Sequence, residues 1–396
     1  MSNQKLPYWR LSGFYFFYFA SLGALMPYLG LYLKSLGYVA AQVGLVFAVM
    51  QGTKLVSPGL LALLSARLNN RMQLVQLASF LSVMAYACLL SDPDFLGILL
   101  IVFVFSFCWN AMLPQFEAIT LTKLGQQTGL YSGIRLWGSI GFIATVSGVG
   151  YVLTKTSLNE WPLLVSVCLL MILIASLTLS EKGRVKPAKR GSVMGLLLKQ
   201  KTIIAFFFVV FLLQASHGAY YAFFSILLDK LNYSEIEIGQ LWSLGVLAEI
   251  VLFLVIQRVF HHLSLRFILL LSLLLTVIRW LMIAWLADHL IILVVAQFLH
   301  AASFGAFHVV GIQLTHRYFK GAMQEKGQAL YSSVGYGAGG MLGGLIAGLL
   351  WDAFGAEWVF SMAALLSAIA FLVAWIWVEK NNDEDLEATG EGVSSV

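Results

Sequence analysis

The chain has 396 residues, of which 60% are hydrophobic and only 11% charged, with a mean hydropathy of +0.86 and a formal net charge of +5. A soluble domain averages about 25% charged residues. A soluble chain of this length could not hide so much apolar surface, so most of it must face lipid.

A bilayer-crossing helix needs about 20 mostly apolar residues. The sequence on that measure predicts an all-α membrane protein with 12 transmembrane helices, near residues 11–33, 41–64, 73–90, 96–120, 131–154, 161–179, 202–228, 237–257, 265–286, 290–314, 329–350 and 357–378. The first run is too long for the apolar core of a signal peptide and lacks a small-residue cleavage site, so it is expected to stay as a span. Asp92-Pro93-Asp94 limits the short third span. Even-numbered loops and the start of the chain carry Lys5, Arg10, Arg67, Arg71, Lys123, a cluster from Lys182 to Lys201, Arg258, Arg266, Arg317, Lys320 and Lys326. Odd-numbered loops carry only Lys34, Lys155 and Lys230, beside acids such as Asp92, Asp94, Asp229, Asp288 and Asp352. The positive-inside rule therefore puts both termini in the cytoplasm.

The longest internal polar segment splits the chain into two halves of six spans. The expected organisation is a bundle over 1–180, a cytoplasmic linker over 181–201, a second bundle over 202–378 and a disordered acidic tail over 379–396. The halves echo one another. Their fifth spans begin Leu130-Tyr131-Ser132 and Leu330-Tyr331-Ser332, and both continue rich in glycine. The run Gly335-Tyr336-Gly337-Ala338-Gly339-Gly340 follows no strand, so its glycines are read as close helix packing rather than a phosphate loop. Repeated halves fit alternating access about a central site. Cys88, Cys108 and Cys168 lie in apolar runs without metal-ligand spacing and are expected as buried small hydrophobes. No zinc motif, Walker lysine loop or dinucleotide fingerprint occurs, so neither a cofactor nor a nucleic-acid partner is implied.

Charges deep in hydrocarbon are costly unless they face a bundle interior or a wet cavity and find partners. The spans hold Lys54, Glu117, Arg135, His217, Glu249 and Arg279, joined by His300 and His308 in the tenth. Glu117 and Arg135 come from adjacent spans and can hold one another ionised, as a structural pair or a substrate-binding one. Asn110 lies two turns before Glu117 on nearly the same face. Glu249 has no base within one turn on its own helix, which suits a group that binds and releases a proton, or else a structural partner of Arg279. His300 and His308 are split between helix packing and proton relay or substrate contact. Eight residues apart, they stand about 80° apart on an α-helix and need not touch one ligand. His217 with Gln214 and Tyr221 suggests a cavity-facing stripe. Gln297 is a further polar neighbour. Trp242, with Tyr28, Tyr32 and Trp109, is an aromatic that either packs or stacks on a ring. Lys54 snorkels, attracts an anionic substrate or pairs with an acid in the other half-bundle. If these groups share one cavity, Lys54, Arg135 and Arg279 outnumber Glu117 and Glu249, which favours an anionic or polar neutral solute.

The chain resembles the major facilitator superfamily over essentially its whole length. More narrowly it is similar to the group that joins the lactose permease, the nucleoside proton symporters and the phenylpropionate permeases. The stretches that carry this are Arg135-Leu136-Trp137-Gly138-Ser139-Ile140-Gly141-Phe142, Ala248-Glu249-Ile250, Arg279-Trp280 and Gln297-Phe298-Leu299-His300-Ala301-Ala302-Ser303-Phe304-Gly305. The resemblance implies the major facilitator fold of two six-helix bundles. It matches Glu117 and Arg135 to a substrate-side pair, and Glu249, Arg279 and His300 to the proton-coupling carboxylate, arginine and histidine. The acid expected one turn after that histidine is Ser303 here. The loop after span 2 keeps Arg67 and Arg71 for a cytoplasmic gate, but Ala66 stands where the pattern has aspartate.

The expectation is a proton-coupled symporter of the bacterial inner membrane, acting as a monomer and importing a small organic solute. An aromatic carboxylate such as a phenylpropanoate leads. Sugar or nucleoside symport and proton-driven export of drugs or metabolites are the rivals, and a receptor or assembly scaffold is a third class. In the proposed cycle Glu249, Arg279, His300 and His308 handle the proton, while Lys54, Asn110, Glu117, Arg135, Gln214, His217, Tyr221, Trp242 and Gln297 line the substrate site.

Overall fold

The computed structural model describes residues 6–68, 70–180 and 199–379. Most of the predicted linker and the tail beyond Glu379 fall outside them. Among the described residues, eleven helices are long and apolar enough to cross a membrane: α1 (Tyr8–Ser35), α2 (Ala40–Ser65), α3 (Arg71–Ser91), α4 (Phe95–Leu124), α5 (Tyr131–Lys155), α6 (Leu158–Leu177), α7 (Lys201–Lys230), α8 (Glu235–Ile256), α9 (Leu265–Leu286), α10 (Leu290–Tyr318) and α11 (Gln324–Trp377). The protein is thus an all-α, multi-span membrane protein. The first ten match predicted spans one to one. The eleventh covers both remaining predicted spans in one run of 54 residues. At 1.5 Å per residue that run would measure about 80 Å, against a hydrocarbon core of about 30 Å. The backbone breaks at Gly355, where φ is 81° and ψ 172°. This left-handed conformation is open to glycine at no steric penalty.

Helix α1 packs on α5 and α6, and α3 on α4 and α6. In the second half α7 and α9 pack on α11, and α8 and α9 on α10. Helix α2 on α11, α5 on α8 and the C-terminal part of α1 on α7 join these groups. Glycine makes the first possible. A Cβ on Gly44 would stand 2.7 Å from the carbonyl oxygen of Gly344 and 2.8 Å from the Cα of Gly348, so the two backbones touch. At the second, the Tyr28 hydroxyl reaches between α5 and α8, 2.7 Å from the Val146 carbonyl and 3.3 Å from that of Glu235. Ser147 and Ser243 hydroxyls meet at 3.0 Å, and Thr154 donates to Glu235 at 3.0 Å. Lys34 pairs with Asp229 at 2.8 Å, and the Ala40 amide donates to Asp352 at 3.0 Å. All these links lie toward the end that carries the odd-numbered loops.

The opposite end is tied differently. Arg10 donates to the Thr178 carbonyl at 3.0 Å and Lys123 to the Ser180 carbonyl at 2.7 Å. Arg266 donates to the carbonyls of Val378 and Trp375, and Arg317 pairs with Glu379. Cations at helix C-termini answer the unsatisfied carbonyls there and the negative end of the dipole. Cys108 is buried and Cys168 half-buried as the apolar runs suggest, but Cys88 is exposed, because it opens a 3₁₀ turn, Cys88–Ser91, at the end of α3.

Helix α2 is interrupted by a 3₁₀ turn at Thr53–Leu55. Pro58 follows, and a proline ring clashes with the carbonyl four residues before it, here that of Lys54. Asn110 of α4 braces the turn, donating to the Met50 carbonyl at 3.0 Å and to Thr53 Oγ1 at 2.9 Å.

Asn110→Leu should cost about 1–3 kcal/mol by removing two buried hydrogen bonds; a thermal midpoint equal to wild type in detergent would refute the brace. Gly44→Val forces α2 off α11 and should destabilise the protein by about 1–3 kcal/mol. The check is the same melt, and an unchanged midpoint would mean that the helices do not approach this closely.

Candidate functional site

The ionisable groups fall into two clusters at different depths. Glu117 lies about 10 Å along the axis from the end of α4, and Arg135 about 6 Å from the start of α5. The pair therefore sits toward the end with the even-numbered loops rather than at mid-depth. Arg135 Nε stands 3.6 Å from Glu117 Oε1, with both side chains about one-third exposed. The Tyr131 hydroxyl reaches the same carboxylate at 3.4 Å. The Arg135 guanidinium lies 4.1 Å from the ring centre of Phe19 and 5.5 Å from that of Tyr15. Rings at this distance attract a cation. Asn110 does not extend this cluster, since its amide is spent on α2.

The second cluster is buried among α7, α8, α9 and α10. Glu249 stands roughly 20 Å along α8 from its first residue. Glu249 Oε1 and His300 Nε2 are 2.9 Å apart, but not aligned as a hydrogen bond. Arg279 does not bridge to Glu249. Its Nε donates to the Ala296 carbonyl at 2.9 Å and its Nη1 to Ser303 Oγ at 3.1 Å. Its guanidinium lies 4.4 Å from the Tyr220 ring centre and 4.5 Å from that of Trp280. Ser303, which replaces the acid that the resemblance leads one to expect, thus serves as an acceptor for Arg279. The Tyr220 hydroxyl donates to Gln297 Oε1 at 2.9 Å. His217 is fully buried, and its Nδ1 lies 2.9 Å from the Leu213 carbonyl. Its ring is 6.2 Å from that of Tyr221 and 6.4 Å from that of His300. Trp242 packs at 4.7 Å on Tyr220 and donates to Ser225.

The two tenth-span histidines share a column. Residues Ala301–Ala306 form a π-helical turn. This wider winding stacks Phe304 between His300, at 5.3 Å, and His308, at 6.2 Å, each pair 11° from coplanar. The separation of 80° predicted for an α-helix is therefore corrected by the π turn. A second π segment, Ser333–Gly339, lies in α11. From it Tyr336 places its hydroxyl 2.9 Å from His308 Nδ1, and Tyr331, just before, stands at 3.4 Å. π turns of this kind occur often at functional sites.

The remaining predicted residues are less tightly bound in. Lys54 sits half-buried on the 3₁₀ turn of α2, and no ion pair joins it to an acid among the described residues. Gln214 is buried beneath the glycines of α11, its Cγ 3.3 Å from where a Cβ on Gly335 would stand. Arg67 is exposed at the end of α2, and Arg71, at the start of α3, is engaged with a neighbour. Tyr28, Tyr32 and Trp109 are buried in packing, with Trp109 stacked on Tyr18 at 4.9 Å. Site residues that the sequence reading passed over are Tyr131, Tyr220, Phe304 and Tyr336. Tyr131 and Tyr331 carried a signal, the repeated Leu-Tyr-Ser. In each half this tyrosine turns its hydroxyl to an ionisable residue of the preceding helix, Glu117 or His308.

Comparison with known proteins agrees with this architecture. The profile of the MFS_1 like family matches residues 8–362. A probable 3-phenylpropionic acid transporter of Escherichia coli (strain K12) is 30% identical over 371 residues, which cover 89% of this chain and 93% of that protein. The maltose permease of Geobacillus stearothermophilus is 24% identical over 91% of this chain and 92% of its own. Among solved structures, the nucleoside transporter NupG superposes with a TM-score of 0.83 at 18% identity, over 96% of this chain and 100% of that one. At that identity the likeness speaks for the fold. The chain belongs to the MFS_1 like family and is a secondary transporter of small solutes.

Proposed function

We propose that this protein is a proton-coupled symporter of the bacterial inner membrane that imports a small aromatic carboxylate, of the phenylpropanoate type. The observation that carries proton coupling is the Glu249–His300 contact at 2.9 Å, buried at mid-bundle beside Arg279. Ionisable groups at such depth are expensive and are kept where they bind or relay something. A carboxyl and an imidazole in contact hold one proton between them, and a nearby guanidinium biases which of them carries it. The substrate class is supported by the 30%-identical relative and by the rings of Tyr220, Tyr221, Trp242 and Phe304 around the buried cluster.

The molecule works in this reading as two bundles, 1–180 and 202–378, joined by the linker 181–201 and followed by the tail 379–396. The break at Gly355 divides α11 into an eleventh and a twelfth crossing, which returns the chain to its starting side, and both termini lie in the cytoplasm. The links at the odd-loop end then form a closed outer gate, and the cycle alternates that gate with an inner one to which Arg67 and Arg71 belong. A monomer suffices, since each bundle supplies one wall of the chamber.

Titration of the purified full chain with phenylpropanoates, maltose and uridine tests the substrate class. Tight binding of an aromatic acid is expected, and binding of a sugar or nucleoside without the acid would reject it. In proteoliposomes Glu249→Gln should abolish uptake driven by a pH gradient while leaving substrate exchange measurable. Gradient-driven uptake at the wild-type rate would remove Glu249 from proton handling.

A further inference from the structure

The proposed function leaves open which cation meets the substrate's carboxylate. Arg279 is fully buried and has no carboxylate within ion-pair distance among the described residues. A guanidinium withdrawn from water without a counter-ion is an expensive arrangement. Two of its nitrogens are occupied, Nε by the Ala296 carbonyl and Nη1 by Ser303. The third, Nη2, is buried and has no hydrogen-bond partner.

Gln297 is in the same condition. Its Oε1 accepts from the Tyr220 hydroxyl at 2.9 Å. That leaves Nε2, two N–H donors, buried and unpartnered. The two side chains are neighbours. Arg279 holds the carbonyl of Ala296, the residue adjacent to Gln297, and both lie against Tyr220, one over its ring and the other at its hydroxyl. Nearly all buried polar groups in folded proteins find a partner, so two adjacent stranded donors mark the place of an absent acceptor.

We propose that Arg279 Nη2 and Gln297 Nε2 form the carboxylate clamp of the transport site, with the aromatic group of the substrate held by the rings around Tyr220. This rests on the aromatic-acid reading above. Three further stranded atoms lie in the cluster, His217 Nε2, His300 Nδ1 and Glu249 Oε1, the last facing His300 rather than Arg279. With its Nδ1–H directed at the Leu213 carbonyl, neutral His217 presents a lone pair at Nε2. It offers no donor to a carboxylate and so takes no part in the clamp.

The test uses the full chain in detergent and two probes of nearly one shape, 3-phenylpropionate and its neutral amide. Wild type should prefer the acid. Gln297→Glu sets a second carboxylate against the ligand's and supplies Arg279 with an internal partner, so acid affinity should fall by about 30-fold or more while the amide changes little. Arg279→Gln should erase the preference in the same way; should that variant not fold, Gln297→Glu decides alone. Wild-type affinity for the acid in Gln297→Glu overturns the clamp. Equal loss of acid and amide assigns these side chains to packing and overturns it as well. A wild type that binds neither probe removes the aromatic-acid reading, and the clamp with it, which is a result distinct from either.

Discussion

A guanidinium cannot be left bare in a low-dielectric interior, and the second half of the molecule is arranged around that constraint. Arg279 is buried to zero exposure. It is held by a backbone carbonyl and a serine from α10 and flanked by rings from α7 and from its own helix. Each of these contacts fixes something else. The bond to Ala296 sets α9 against α10. Tyr220, pinned beneath the cation, is thereby positioned to orient Gln297. Ser303 meets Arg279 from within the π turn that aligns His300 with His308. Ring faces and neutral dipoles stabilise the charge without cancelling it, so the guanidinium itself keeps an attraction for an anion.

The groups that join the two halves and the groups that face the proposed chamber are of different chemical kinds. At the odd-loop end the halves meet through glycine-lined backbone contact and short polar links such as Tyr28 to Val146 and Lys34 to Asp229. Contacts of this type are individually modest; an exposed ion pair is worth about 0–1 kcal/mol. They can therefore separate and re-form at low cost. The buried clusters are built from long-range contacts within each half, between α4 and α5 or among α7 to α10. A movement that parts the halves leaves these largely intact, as a carrier requires of its binding chemistry.

Much of this was legible in the sequence. Ten of the spans follow from counting apolar residues, because the hydrocarbon thickness sets their length. The identity of the buried ionisable residues is equally plain, since each interrupts an apolar run. Their partners were not legible. Glu249 might have been given to Arg279, but the structure sets it against His300, because Arg279 is satisfied by Ala296 and Ser303 instead. Asn110 reads as an extension of the Glu117 face, yet it turns to the 3₁₀ turn of α2. The angle between His300 and His308 was misjudged because a π turn leaves no mark in hydrophobic periodicity. The joining of the last two predicted spans into one run reflects a single backbone break at Gly355 that composition does not announce.

The π turn at Ala301–Ala306 also bears on how such a site can change over evolutionary time. A π turn holds one more residue per hydrogen-bonded loop than an α turn. Deleting one residue there lets α10 wind normally, and the two histidines, then seven residues apart at about 100° each, stay within about 20° of one face. His308 keeps its place opposite Tyr331 and Tyr336. The additional residue of the π turn is therefore neutral in register, and the helix can lose it without uncoupling the two histidines.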